Sequence, residues 1–134
     1  MASPTPPRIA IINSNEDLLE ILRTAFEEEG YFVATAHIRA FRLHEADLDA
    51  FIEQAQPQVV IWDLAPPYDM NWRYFQEIRQ FPVMQGRRFL LTSTNAERAR
   101  EIAWTDEDIV EVVGKPFDLE GLEELVARAI QQPS

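Results

Sequence analysis

Three side chains each stand at the end of an apolar run: Asp63 after Val59-Val60-Ile61-Trp62, Thr92 after Phe89-Leu90-Leu91, and Lys115 just past Ile109 to Val113. A carboxylate, a hydroxyl and an ammonium brought together suit a carboxylate nucleophile that handles an anion. Lysine supplies a point charge and threonine a hydrogen bond to the developing or transferred oxyanion. Phosphoryl transfer asks for little beyond such positioning and charge neutralisation, usually with Mg²⁺. The structural alternative is a Lys115–Asp63 ion pair that only closes a sheet edge, or an Asp63 that caps a turn. Whether the elements carry the three residues to one place decides between them.

The elements do converge. Arg8 to Ile12 is a short apolar run ending at the turn-prone Asn13-Ser14-Asn15, a buried strand. Leu18, Leu19, Ile21, Leu22, Ala25 and Phe26 then recur at helical spacing, with Asn15 or Ser14 as cap and Gly30 as stop. Tyr31 to Ala36 reads as a second strand, and a helix resumes around Ala46 to Gln54, closed by Pro57. Val59 to Leu64, rich in β-branched residues, reads as a strand buried on both faces. Pro66-Pro67 forces a loop, Asn71 caps a helix with Tyr74 or Phe75, Ile78 and Phe81 inward, and Pro82 ends it.

Phe89 to Thr92 is the fourth strand. Asn95 caps a helix from Ala96 to about Trp104 whose apolar face is thin, a mark of a weakly anchored, mobile element. Ile109 to Val113 is the fifth strand, and Asp118 caps a last helix with Leu119, Leu122, Leu125 and Val126 on one face. The expected architecture is α/β: strand and helix alternate, so the strands are parallel and right-handed crossovers put helices on both faces of one five-stranded, doubly wound sheet. Asn13, Ser14, Asp63, Thr92 and Lys115 then share the carboxyl edge of that sheet, where open α/β sheets collect their ligands.

Bulk properties narrow the function. With 134 residues, 46% hydrophobic and 26% charged, the chain has the size and composition of one globular domain. We expect residues 1–7, with three prolines, to be a disordered tail, 8–130 the domain, and 131–134 a second short tail. A net charge of −11 opposes binding to nucleic acid or to anionic membranes and leaves basic protein partners open. There is no cysteine, hence no thiolate chemistry, and no apolar run of membrane-spanning length, so a cytoplasmic protein is expected.

Asp17-Leu18-Leu19 opening the first helix, Asp63-Leu64 with Pro67 four positions after the acid, Thr92, and Lys115-Pro116-Phe117, in this order on a (βα)₅ pattern, resemble a response-regulator receiver domain of two-component signalling. The resemblance runs from about Arg8 to Ile130 and implies a CheY-like, flavodoxin-like fold. It implies that Asp63 is the phosphoacceptor, taking a phosphoryl group from a sensor histidine kinase or phosphotransfer protein, with Thr92 and Lys115 on the phosphoryl oxygens and the Lys115-Pro116 peptide cis. It also implies signalling through a downstream partner, or a homodimer, by way of the surface made by the 96–104 helix and the 109–113 strand. With no output domain after Ile130, a stand-alone receiver is expected.

Two departures set this chain apart. Receivers end strand one with two acids that hold Mg²⁺ together with the acceptor and a backbone carbonyl two residues on; here the acids are replaced by Asn13 and Ser14. The set left is Asp63, the Ala65 carbonyl, an amide and a hydroxyl, so site charge falls from about three negatives to one and Mg²⁺ is weakly held or absent. Lys115 is then free to pair with Asp63 directly. Val112 stands where receivers often carry the aromatic that swings inward with the threonine, so the usual rotameric readout is absent or altered. The alternative function is therefore a pseudo-receiver, an interaction module independent of phosphorylation.

Other classes fit less well. A flavin binder wants a Gly- and hydroxyl-rich loop after strand one, where Asn13-Ser14-Asn15-Glu16 stands; a haloacid-dehalogenase-type phosphatase wants a second aspartate at position 65, which is alanine. An enzyme is thus not expected. Trp62 reads as a core filler, Tyr68 and Trp72 as partly exposed, and His37 and His44 as lacking a metal-ligand set. Arg87-Arg88 and Arg98-Arg100 read as solvated, and the long segment between the second strand and the second helix, residues 37–45, as a family-specific contact surface.

Overall fold

The computed structural model describes residues 6–103, 109–115 and 118–131. Five parallel strands, β1 (Arg8–Asn13), β2 (Phe32–His37), β3 (Val59–Asp63), β4 (Arg88–Ser93) and β5 (Ile109–Gly114), pair in the order β2-β1-β3-β4-β5. Helices α1 (Glu16–Glu28), α2 (Ile38–Arg42), α3 (Leu48–Ala55), α4 (Tyr68–Arg79), α5 (Ala96–Ala103) and α6 (Leu119–Gln131) connect and follow them. The expected doubly wound α/β sheet is present. Chain order reverses direction across the sheet between β1 and β3, the switch point where such sheets place their sites.

Strand alternation sorts the core into two layers. Ala10, Ile12, Val60, Trp62, Phe89 and Leu91 pack with α3, α4 and α5 residues such as Ile52, Phe75 and Ala99. Ile9, Ile11, Val59, Ile61 and Leu90 pack with Leu19, Leu22 and Phe26 of α1 and Leu122 and Val126 of α6. The first layer is aromatic: Phe75 meets Trp62 at 5.3 Å and Phe89 edge-on at 5.3 Å between ring centroids. Trp62 is the filler its composition suggests, fully buried, and its indole Nε1 is a buried donor with no partner among the described residues.

Local chemistry sets most boundaries. The Asn15 side chain accepts from the Leu18 amide at 3.1 Å, so Asn15 rather than Ser14 caps α1, and Gly30 follows at φ +93°, where a side chain would be strained. Asn95 caps α5 through the Arg98 amide at 3.1 Å. Pro7 is tied in, its carbonyl accepting from the Phe32 amide at 2.9 Å.

Several expectations need correction. Asn71 is not a cap: α4 begins at Tyr68, entered through a cis Pro66-Pro67 peptide, and Asn71 sits inside it and buried. Phe75 rather than Tyr74 fills the core below α4, and Phe81 is 38% exposed because the chain leaves the helix before it. The helix after β2 begins at Leu48, capped by Asp47, and the five-residue α2 precedes it. Arg87 is not solvated; its guanidinium donates to the Val83 and Pro57 carbonyls. Arg100 is exposed, as expected, and also donates to the Val112 carbonyl. Trp104, Pro116 and the Lys115-Pro116 peptide lie outside the described residues.

Candidate functional site

Parity along the strands builds the site. Asn13 continues the row Ile9, Ile11; Asp63 continues Val59, Ile61; Thr92 follows Leu90, all in the layer beneath α1 and α6. Lys115 follows Val113, packed against that same layer. With a period of two, residues that continue those rows emerge on one side of the sheet at its carboxyl edge. Register completes the placement, because Asp63 is directly opposite Thr92 and Ile12 opposite Trp62, so Asn13 and Asp63 are the next residues out.

The three chemistry-bearing residues meet on one atom. Thr92 Oγ1 donates to Asp63 Oδ1 at 2.8 Å, and Lys115 Nζ lies 2.5 Å from the same oxygen. Asp63 and Thr92 are buried, while the Lys115 side chain keeps 20% of its surface in contact with solvent. The Lys115 amide is fixed by the Ser93 carbonyl at 2.7 Å, and the Leu64 amide by the Thr92 carbonyl at 2.8 Å, so the backbone on both sides of the pair is anchored. A charged donor and a hydroxyl on one carboxylate oxygen form a compact charge-assisted arrangement.

The opposite side of Asp63 is built differently. Asn13 is buried and its Oδ1 accepts from the Asn15 amide at 2.9 Å; Ser14 is exposed. The Ala65 carbonyl accepts from Asn71 Nδ2 at 2.5 Å, and Asn71 Oδ1 in turn accepts from the Arg42 guanidinium. Arg42 also lies over the Tyr74 ring, 4.8 Å from its centroid. Burial lifts the Tyr74 hydroxyl above its ordinary range, with Arg42 opposing the shift. A resident Mg²⁺ wants hard oxygens, usually with more than one carboxylate. This donor set offers one carboxylate, already ion-paired, two neutral oxygens already engaged as acceptors and the hydroxyl of the exposed Ser14, which fits the ion poorly.

The structure brings Asp63, Thr92 and Lys115 together, and it adds Asn71 and Arg42 beside the Ala65 carbonyl, a pair not expected there from the sequence. A signal for Asn71 was available: it stands at i, i+4, i+7 with Phe75 and Ile78, the buried stripe of α4. A polar residue on such a stripe needs partners. Val112 is buried in the aromatic layer, on the far side of the sheet from Thr92. Tyr68 OH and Thr94 Oγ1, 3.0 Å apart, join the start of α4 to the loop after β4.

No protein-family model and no curated protein matches the chain. Its structure is nevertheless similar to solved receivers. The N-terminal signal receiver domain of a two-component response regulator from Bacteroides fragilis superposes with a TM-score of 0.76 at 18% identity, covering 96% of this chain and 100% of that one. The non-phosphorylated HemR receiver domain from Leptospira biflexa gives 0.71 at 23% identity, over 96% and 97% of the two chains. A response regulator from Thermotoga maritima gives 0.69 at 18%, over 96% and 100%. The chain has the fold of a response-regulator receiver domain.

Proposed function

We propose that the chain is a receiver domain of phosphorelay signalling in which Asp63 accepts a phosphoryl group and the consequence is read by a protein partner. The convergence of Lys115 and Thr92 on one oxygen of Asp63 supports this reading more than any other observation. In the reaction an Asp63 carboxylate oxygen attacks phosphorus, an O–P bond forms as the P–N bond of a donor phosphohistidine breaks, and the imidazole leaves with the electron pair. Lys115 and Thr92 turn from the carboxylate to the phosphoryl oxygens, supplying charge and a hydrogen bond. In this reading Mg²⁺ contributes weakly or not at all, and the domain acts by binding rather than by turnover.

A second reading is favoured by the Asn71–Ala65 hydrogen bond, which occupies the carbonyl a metal would use. It makes the domain an interaction module that stays in one state without phosphorylation. Titration with beryllofluoride, with and without Mg²⁺, separates the two. Tryptophan fluorescence is the readout, since Trp62 adjoins Asp63 and is fully buried. A response that Asp63→Asn abolishes supports phosphoacceptor use. Silence in the native chain, up to about tens of millimolar Mg²⁺, assigns the module.

A further inference from the structure

Between the α2–α3 segment and α4 runs an open groove of about 1100 Å³. Its apolar walls include Phe41, Leu48, Met70, Tyr74, Ile78 and Phe81. Met70 is 61% exposed and Phe81 38%, in a chain whose large hydrophobic residues are mostly interior. Four exposed carboxylates, Glu45, Asp47, Asp49 and Glu77, line it as well. Among the described residues its basic lining is Arg42 and His44, and Arg42 is drawn toward Asn71 and the Tyr74 ring. An apolar trough with exposed carboxylates in its lining is complementary to a helix that has one apolar stripe and basic flanks.

We infer that this groove docks a basic amphipathic helix of another protein. A second copy of the chain is a poor occupant, because two bodies each carrying −11 repel. The occupant's stripe, spaced i, i+3, i+4 and i+7, covers Met70, Tyr74 and Phe81, and its lysines or arginines face Glu45, Asp49 and Glu77. Docking here does not require chemistry at Asp63 and stands whether or not Asp63 is phosphorylated. The groove also touches that chemistry through one chain of contacts: Arg42 bonds Asn71, which bonds the Ala65 carbonyl, two residues past Asp63.

The test uses a Leu/Lys peptide with leucines at that helical spacing, a scrambled peptide of identical composition, and a Leu/Glu peptide of identical pattern. Binding to the full chain is followed by calorimetry, and its location by amide chemical shifts. The patterned Leu/Lys peptide is expected to bind at least about tenfold tighter than the scrambled one, with shifts concentrated in residues 41–49 and 70–81. Glu77→Lys combined with Asp49→Lys, and separately Met70→Ser, each lower its affinity by about tenfold, since both kinds of residue are surface groups at the contact. Asp63→Asn leaves it unchanged.

Equal binding of the scrambled peptide, shifts centred on α1 or α6, or indifference to the charge reversals would overturn the proposal. So would concentration-dependent self-association that Met70→Ser abolishes, which would give the groove to a second copy. Loss of binding in Asp63→Asn would instead overturn the independence of the groove from the phosphoryl site.

Discussion

Asp63 and Glu123 are two treatments of a carboxylate in one acidic chain. Asp63 is buried at the sheet edge with an ammonium and a hydroxyl on one oxygen, and β1 ends beside it at the neutral Asn13, followed by the neutral Ser14. Glu123, on α6, is lifted above the usual carboxylate range by burial first, then by Glu29, Glu120, Asp118 and Glu28. The difference shows that a net charge of −11 says little about any one site. Negative charge is crowded at the α1–α6 seam and thinned where the chemistry would occur.

The largest effect follows from removing the cation of the compensated pair. Lys115→Met leaves a buried carboxylate facing a hydroxyl alone, and we expect a loss of about 2–4 kcal/mol in urea unfolding, below the range for a fully buried pair because Lys115 reaches solvent. Asp63→Asn costs less, about 1 kcal/mol, because the stranded lysine can turn to water. A double variant that recovers toward Asp63→Asn would show one shared interaction, because neutralising Asp63 removes the stranded charge. Should Lys115→Met unfold like the native chain, the pair does not hold the site and the contrast with Glu123 collapses.

Next in size is the neutral side of the pocket. Asn71→Leu strips the Ala65 carbonyl of its donor and Arg42 of its acceptor, at an expected cost of about 1–2 kcal/mol. The same variant should quicken amide exchange at Leu64 and Tyr68, the residues flanking the loop. Unchanged exchange would mean that the loop is held without Asn71.

These cases also show how far the sequence could be read. The row Asn13, Asp63, Thr92 and Lys115 was legible because strand alternation and parallel register are short-range rules that fix both side and edge. Asn71 was misread because the preference of asparagine for caps is also a local rule, and here the buried stripe shared with Phe75 and Ile78 outweighed it. The five-residue α2 is shorter than two helical turns and so leaves no periodicity to detect. The Arg42–Asn71 contact and the groove arise between segments 29 residues apart, where no local pattern reports.

Putting an acid back beside Asp63 would make the pocket resemble the crowded seam. Asn13→Asp sets a second carboxylate on the strand next to Asp63 while keeping an Oδ1 acceptor for the Asn15 amide, so its cost is the repulsion between two carboxylates. The apo variant should melt a few degrees lower, roughly the effect of 1 kcal/mol in a domain of this size. It should also acquire a Mg²⁺ dependence: about 1.4 kcal/mol of stabilisation at ten times the dissociation constant. The native chain should show little response over the same titration. Equal responses would mean that its neutral oxygens suffice for the ion.

The smallest effect comes from relieving the crowded carboxylate. A folded-state pKa above the ordinary 4.5 means that the native state binds the Glu123 proton more tightly than the unfolded chain does. Ionised Glu123 therefore opposes folding at neutral pH, and that opposition fades as pH falls through the raised value toward 4.5. Glu123→Gln removes the titration. The variant should melt above the native chain at pH 7 in low salt, with the gap closing as pH approaches 4.5. Added salt should shrink the share due to Glu29, Glu120, Asp118 and Glu28, since exposed charges are screened within about 8–10 Å at 0.1–0.15 M. Desolvation is the first single cause and is not screened by salt, so part of the gap should survive in high salt. A gap independent of pH would trace the gain to packing of the amide, and Glu123 would cease to be the counterexample to Asp63.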